Sequence, residues 1–307
     1  MKKNYELYSD ITLIFVTLVW GISFPLIRNA IADISDQTYL FYRFLIAAIC
    51  VLPILIIRKD KISWLTLLQG TLLGAILFLV IFLTVTSLKY SSAINVAFFT
   101  GSSVALVPIF AILLTKSKIS LKQFCCVLIS IVGVLFLIGK TNFSFGIQDL
   151  WGATLAVMVA LQIVVIGIFS RKSDPLVLGT IQIISCSVIS TFSAGSDSIK
   201  NIHFTTPVVI ALLITGILST AFCFTAQTIA QKYTTPLKTS LIFTGEPVFG
   251  ALFAMMIPMV NGQTERMTAI QLIGCVLILT AMILSEDVIV ERILFLMRKN
   301  VEVKNSK

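Results

Sequence analysis

The chain has 307 residues, of which 57% are hydrophobic and only 12% are charged. A soluble domain of this length needs far more charged surface, so the composition excludes a soluble protein and indicates lipid-facing helices. The net charge of +9 does not indicate nucleic-acid binding, because the lysines and arginines form small clusters between apolar runs rather than a basic stripe.

The first apolar run follows a polar segment that contains Glu6 and Asp10. It is long enough to cross a bilayer and has no small-residue cleavage site after it, which predicts a retained helix rather than a cleaved signal peptide. Nine similar runs follow, each close to the length of about 20 residues that spans a hydrocarbon core roughly 30 Å thick. The ten predicted transmembrane helices cover residues 11–31, 38–57, 63–88, 91–115, 120–139, 147–169, 175–194, 207–230, 235–260 and 268–285.

The distribution of basic residues predicts the topology. With the N-terminus in the cytoplasm, sixteen lysines and arginines fall on the cytoplasmic side and five on the outer side, leaving out Arg43 and Lys238 inside the predicted helices. An excess of basic residues marks cytoplasmic loops. We therefore expect a multi-pass protein of the bacterial inner membrane with both termini in the cytoplasm.

Two parts of the sequence repeat at a nearly constant distance. Lys89-Tyr90-Ser91-Ser92 precedes the fourth predicted helix, and Lys232-Tyr233-Thr234-Thr235 precedes the ninth. The tripeptide Phe-Thr-Gly follows in both helices, at residues 99–101 and 243–245, so the offsets are 143 and 144 residues. This common offset, about half the chain length, indicates an internal duplication.

The duplication predicts an all-α membrane protein whose ten transmembrane helices form two five-helix repeats, at residues 1–142 and 143–307. Gln123 in the fifth helix and Gln271 in the tenth match as well, after a longer loop. Because five is an odd number, the second repeat must cross the membrane with the opposite orientation to the first. Inverted repeats of this kind are common in secondary transporters, where two halves rock around a central site.

Four short motifs follow one another along the chain: Trp20-Gly21-Ile22-Ser23-Phe24, Arg43-Phe44, Phe99-Thr100-Gly101 and Glu246-Pro247-Val248-Phe249. In this order, and with the internal repeat, the sequence resembles the drug/metabolite transporter superfamily, specifically the ten-helix transporters of the EamA type. The resemblance covers nearly the whole chain. It implies efflux or exchange of small metabolites such as amino acids, with the fifth and tenth helices at the periphery and the others around a central cavity.

Polar side chains inside the predicted helices are candidates for the binding site, because lipid makes them costly unless they face protein or water. Amide side chains there either line a cavity or join helices, and hydroxyls either line it or bond to their own backbone. A tryptophan either stacks on an organic substrate or packs against a neighbouring helix. The predicted substrate-binding residues are Trp20, Asn95, Thr100, Ser103, Gln162, Gln227 and Glu246.

Glu246 is the one acidic residue near the centre of a predicted helix. An ionised group there costs roughly 3 kcal/mol on insertion scales, so Glu246 must be paired, protonated or exposed to water. Arg43 and Lys238 lie near helix ends. We expect Arg43 to extend to the membrane interface or to form a local ion pair, and Lys238 to extend to the cytoplasm. Two hypotheses remain: Glu246 binds a substrate amine or carries a coupling proton, or it donates a structural hydrogen bond beside the Pro247 kink.

These features predict a secondary transporter that moves a small neutral or zwitterionic metabolite by export or exchange through alternating access. The expected partners are this substrate, the bilayer and, if transport is proton-coupled, protons, but not nucleic acid. An alternative is an organophosphate or nucleotide-sugar carrier of the same superfamily, which would need buried lysine or arginine for the phosphates. The predicted membrane interior offers almost none.

A membrane-embedded enzyme is the alternative from another class. It would need paired acids, a histidine cluster or a nucleophile with a base. The one histidine, His203, falls in a predicted outer loop, and the six cysteines lie in apolar runs without the spacing of a metal site. We therefore expect no enzymatic activity, no metal and no cofactor.

The topology can be tested with single cysteines at Asn142 or Ser198 in a cysteine-free background. Both should react with a membrane-impermeant thiol reagent in intact cells, because the predicted topology puts them outside. A cysteine at Asp60, in a predicted cytoplasmic loop, should react only after lysis. Labelling of the first two only after lysis would contradict the ten-helix topology with a cytoplasmic N-terminus.

Overall fold

The computed structural model describes residues 2–138, 147–194, 204–259 and 262–285, and this part of the chain contains helices and no strand. Its ten long helices are α1 (Lys2–Asp33), α2 (Asp36–Ile57), α3 (Trp64–Tyr90), α4 (Ala93–Thr115), α5 (Leu121–Ile138), α6 (Ile147–Phe169), α7 (Pro175–Ala194), α8 (Thr206–Ala230), α9 (Pro236–Met256) and α10 (Ala269–Ser285). The ten predicted helices are confirmed. The labelling positions Asn142 and Ser198, His203 and the basic C-terminal tail lie outside the described residues.

Eight of these helices are long and apolar enough to cross a membrane, and α5 and α10 are shorter apolar helices. Large apolar side chains are exposed on their outer faces, as in Ile57, Trp64 and Phe192. Such a surface suits lipid, which leaves backbone groups to be satisfied within the helices. The molecule is an all-α membrane protein of ten helices in two inverted repeats.

Matching positions in the two repeats begin α4 and α9 in the same way. The hydroxyl of Ser92 accepts a hydrogen bond from the backbone N–H of Asn95 at 3.1 Å, and that of Thr235 accepts one from Lys238 at 3.2 Å. A side-chain oxygen at this position satisfies a backbone donor that the helix leaves open. The repeated Lys-Tyr segments of the sequence therefore end in equivalent N-caps.

The repeated glutamines begin α5 and α10 in the same way. Gln123 accepts a hydrogen bond from the backbone N–H of Ser120 at 3.0 Å, and Gln271 accepts one from Thr268 at 2.8 Å. In return, the Ser120 and Thr268 hydroxyls accept from the backbone N–H groups of the two glutamines. Each pair is a capping box, in which two open donors are satisfied reciprocally.

Helices α5 and α10 pack against each other through glycine. A Cβ atom on Gly274 would lie 2.6 Å from the carbonyl oxygen of Gly133, so any larger residue would force the two helices apart. Gln271 also reaches across this contact and donates to the carbonyl of Leu137 at 3.0 Å. Helices α5 and α10, the last helix of each repeat, therefore pack directly against each other.

Small residues also bring α1, α4 and α9 close together. A Cβ atom on Gly21 would lie 2.5 Å from Cβ of Phe249, and one on Gly101 would lie 2.7 Å from the ring of Pro247. Small residues allow such close packing between membrane helices. Pro247 has no N–H for the carbonyl of Phe243 one turn earlier, and α9 is interrupted at the adjacent Thr244.

Helix α8 is irregular in its middle. Residues Ile214–Phe222 form a π-helical segment between the α-helical segments Thr206–Leu213 and Cys223–Ala230. Within it, the Thr220 hydroxyl donates to the carbonyl of Thr215, five residues earlier, at 2.7 Å. Wide turns of this kind are uncommon and often occur at functional sites.

Candidate functional site

A small cavity, with a volume of about 50 Å³, lies between the two repeats. Helices α1, α2, α3 and α4 of the first repeat line it, together with α6, α8 and α9 of the second. Helices α5 and α10 contribute no lining residue, as their expected peripheral position requires, and α7 contributes none either. Most of the wall is apolar, and a small number of polar side chains interrupt it.

An aromatic cluster forms one part of this wall. The Trp20 ring lies 4.8 Å from the ring of Phe224 and 4.9 Å from that of Phe243, measured between centroids. The indole N–H donates to the backbone carbonyl of Ser219 at 3.1 Å, inside the π-helical segment of α8. This bond satisfies the polar atom of the indole and leaves an apolar ring in the cavity wall. Trp20 thus packs against neighbouring helices and also lines the cavity.

Three of the predicted polar residues meet in the cavity wall from different helices: Gln162 of α6, Gln227 of α8 and Glu246 of α9. All three are buried. The Nε2 atom of Gln162 and the Oε1 atom of Gln227 have no hydrogen-bond partner in the described part of the chain. Glu246 forms no ion pair with any described residue. Buried polar atoms without partners in a cavity are suited to binding a polar ligand.

The three predicted residues of α4 lie in different environments. Thr100 lines the cavity, and its hydroxyl donates to the carbonyl of Ala97 at 2.8 Å. Ser103 is buried but is not among the lining residues. Asn95 is half-buried in the first turn of the helix, and it does not line the cavity either. The cavity therefore brings together five of the seven predicted residues: Trp20, Thr100, Gln162, Gln227 and Glu246.

Arg43 was expected at the membrane interface or in a local ion pair, and among the described residues it has neither environment. Its side chain is only 1% exposed and lines the cavity. Nε donates to the Thr220 hydroxyl at 2.9 Å, and Nη2 lies 3.4 Å from the Ser219 hydroxyl. Arg43 is seven residues after the start of α2, which is about 10 Å along the helix at a rise of 1.5 Å per residue. This depth is the sequence signal that could have identified Arg43 as a residue of the cavity wall.

The contact between α2 and α8 fixes this arginine. The Tyr39 and Thr215 hydroxyls share a hydrogen bond of 2.6 Å, one turn before Arg43 on α2. A Cβ atom on Gly216 would lie 3.2 Å from the carbonyl oxygen of Arg43, so glycine allows the two backbones to approach. The irregular segment of α8 thereby brings the Ser219 and Thr220 hydroxyls to the guanidinium.

Lys238 was expected to extend to the cytoplasm, and its side chain is instead buried in an ion pair. Its ammonium pairs with the carboxylate of Asp10 at 2.7 Å and with that of Glu6 at 3.3 Å. Lys238 and Asp10 are both buried, and they join α9 to α1. At the other end of α1, Arg28 pairs with Glu265, which also accepts a hydrogen bond from the backbone N–H of Ala93. Ion pairs thus join the repeats on both sides of the cavity.

The described residues contain no group of three histidine, cysteine or acidic side chains that could hold a metal ion. The cavity wall itself carries one acid, one guanidinium and two amides in an apolar setting. This arrangement can bind and orient a small polar molecule. It offers no nucleophile paired with a base among the lining residues.

The model of the EamA-like transporter family matches the chain twice, at residues 7–139 and 146–286. The chain belongs to the EamA-like transporter family. Its general function is therefore membrane transport, and its family and relatives are transporters rather than enzymes.

Two relatives of this EamA-like protein are uncharacterized transporters of Archaeoglobus fulgidus. One is 30% identical over 279 residues, covering 91% of this chain and 86% of the relative. The other is 24% identical over 288 residues, covering 85% and 92%. A solved crystal structure covers 91% of this chain and 95% of its own with a TM-score of 0.69, and at 15% identity it shows the shared fold alone.

Gln227 and Asn95 provide a matched test of the cavity. Gln227→Ala should reduce transport about fivefold, because one net hydrogen bond contributes about 1 kcal/mol. Asn95→Ala, which removes a similar amide outside the cavity wall, should leave transport close to wild type. Uptake into proteoliposomes with equal amounts of reconstituted protein measures both. Equal rates for the two variants would contradict this assignment of the wall.

Proposed function

We propose that this EamA-like protein is a secondary transporter of a small neutral or zwitterionic metabolite, such as an amino acid or its derivative. It exports or exchanges this metabolite across the bacterial inner membrane by alternating access. The observation that carries the proposal is the cavity between the repeats, where Gln162, Gln227 and Glu246 interrupt an apolar and aromatic wall. Sites for small molecules commonly combine an apolar wall with a few polar groups that fix orientation.

The charges in the cavity favour a zwitterion over an organophosphate. The sequence disfavours organophosphates because its predicted membrane interior has almost no cation, but the buried Arg43 removes that objection. A phosphate monoester carries about −1.5 to −2 charges at pH 7, which one guanidinium does not neutralise. Glu246 in the same cavity adds repulsion whenever it is ionised. A substrate with one positive and one negative group matches Glu246 and Arg43 together.

Alternating access is supported by the ion pairs at the two ends of α1. Asp10 and Arg28 are 18 residues apart, about 27 Å along a helix, and the cavity residues of α1 lie between them. Asp10 pairs with Lys238, and Arg28 pairs with Glu265, so each pair joins the first repeat to the second. We infer that one pair separates while the other holds, which opens the cavity to one side at a time.

The proposed orientation has both termini in the cytoplasm. It rests on the sixteen-to-five distribution of basic residues, which is the usual determinant of membrane topology. In this orientation the Lys238 pair lies toward the cytoplasm and the Arg28 pair toward the outside. A membrane enzyme remains the competing class, and conversion of a metabolite by the purified protein would favour it.

Glu246→Gln tests the role of the cavity acid. The variant keeps the size and hydrogen bonding of a protonated glutamate but cannot ionise, so it should reach the membrane normally and lose amine recognition or pH-dependent transport. Both properties are measured as transport rates in proteoliposomes, from about pH 5.5 to about pH 8.5, with amino acids and their deaminated analogues. Asp60→Asn, which removes an exposed carboxylate, is the control.

A wild-type rate, pH response and substrate preference in Glu246→Gln would contradict this role. The residue would then be a structural hydrogen-bond donor beside the Pro247 kink. Loss of protein from the membrane, with no change in the specific activity of what remains, would lead to the same conclusion.

A further inference from the structure

Arg43 is a cation inside the membrane protein without an acidic partner among the described residues. It is 1% exposed, and its polar contacts are the hydroxyls of Thr220, Ser219 and Tyr39. A buried charge is costly unless another charge or several good hydrogen bonds compensate it. Arginine keeps its charge in proteins, so protonation change does not relieve this cost. The surroundings of Arg43 therefore favour an anion.

Arg43 lines the cavity, and the protein satisfies its guanidinium only in part. Nε is bonded to Thr220, and Nη2 makes only a long contact of 3.4 Å to Ser219. Nη1 has no hydrogen-bond partner in the described residues. Nη1 and the second N–H of Nη2 form the pair of parallel donors that binds a carboxylate or phosphate through two oxygens. The hydroxyls of α8 hold the other edge.

The other groups of the cavity decide between these two anions. Glu246 lies in the same cavity and is not paired with Arg43. A carboxylate carries a single negative charge, which would neutralise Arg43. An amine in the same molecule would present its positive charge to Glu246. The Trp20, Phe224 and Phe243 rings offer an apolar surface to the rest of such a molecule. The combination fits an amino acid with an apolar side chain.

We propose that Arg43 binds the carboxylate of the transported substrate, and that the substrate class is small amino acids with apolar side chains. This inference rests on the proposed transport function and adds the group that recognises the anion. A structural role for Arg43, in which it only joins α2 to α8, would need the hydroxyl contacts but no ligand. The two roles differ in how transport depends on the substrate's carboxylate.

The test compares acids with their amides. Purified wild-type protein in proteoliposomes is given leucine, methionine and phenylalanine, and in parallel their carboxamides, which keep the side chain and amine but lose the negative charge. Uptake of each is measured by mass spectrometry. Hydrogen bonds to a charged group contribute about 1.5–3 kcal/mol, so the acid should be preferred about tenfold to hundredfold. Arg43→Gln should lose this preference.

Arg28→Gln is the matched control, because Arg28 lies on α1 and is already paired with Glu265. This variant should keep the preference for the acid even if its overall rate changes. If Arg43→Gln does not fold, Thr220→Val and Thr220→Ser replace it. The valine removes the hydroxyl that orients Nε and should reduce the preference, and the serine should restore it.

The outcomes separate the inference from the proposed function. Equal uptake of acid and amide by wild type, or an unchanged preference in Arg43→Gln, would overturn the role of Arg43 and leave amino-acid transport standing. An unchanged preference in Thr220→Val would do the same. Inhibition by inorganic phosphate that Arg43→Gln abolishes, without a preference for acids, would assign the site to a phosphate instead. Uptake of neither member of any pair would contradict the proposed function itself.

Discussion

The structure depends on the need to satisfy polar groups away from water. Lipid offers no hydrogen bonds, so a polar side chain inside the helices is costly unless it has a partner in the protein or faces a cavity. Arg43 shows this constraint most clearly: α8 departs from α-helical geometry, and the departure supplies two hydroxyls to the guanidinium. The same segment accepts the indole N–H of Trp20, so one irregularity fixes both a charged and an aromatic part of the cavity wall.

The cavity lies between the two repeats, as the proposed alternating access requires. Helices α1, α4 and α9 approach closely through Gly21, Gly101 and Pro247, while ion pairs at both ends of α1 join it to the second repeat. Close packing of small residues permits sliding without large cavities, and the proposed motion would separate the two ion pairs in turn. A cavity between two halves of this kind suits transport better than a cavity within one half.

The sequence predicted the helices well because each one is an apolar run of membrane length, bounded by capping residues such as Ser92 and Thr235. The matching glutamines also proved to have equivalent local roles. Within the candidate site, the sequence did not distinguish which polar residues of one helix line the cavity. Helix α4 is apolar on all sides, so no periodicity distinguishes Thr100 in the cavity wall from Ser103 outside it. The predicted environments of Arg43 and Lys238 failed because their hydrogen-bond partners lie 177 and 228 residues away in the sequence.

A structure with a bound substrate tests the central claim most directly. Crystals or frozen particles prepared with an amino acid that the protein transports should show density in the cavity between the repeats. We expect a carboxylate oxygen about 2.7–2.9 Å from a guanidinium nitrogen of Arg43, with the amine toward Glu246. Density only outside this cavity, such as in the crevice lined by Lys118 and Arg171, would contradict the claim. So would a substrate bound inside with its carboxylate away from Arg43.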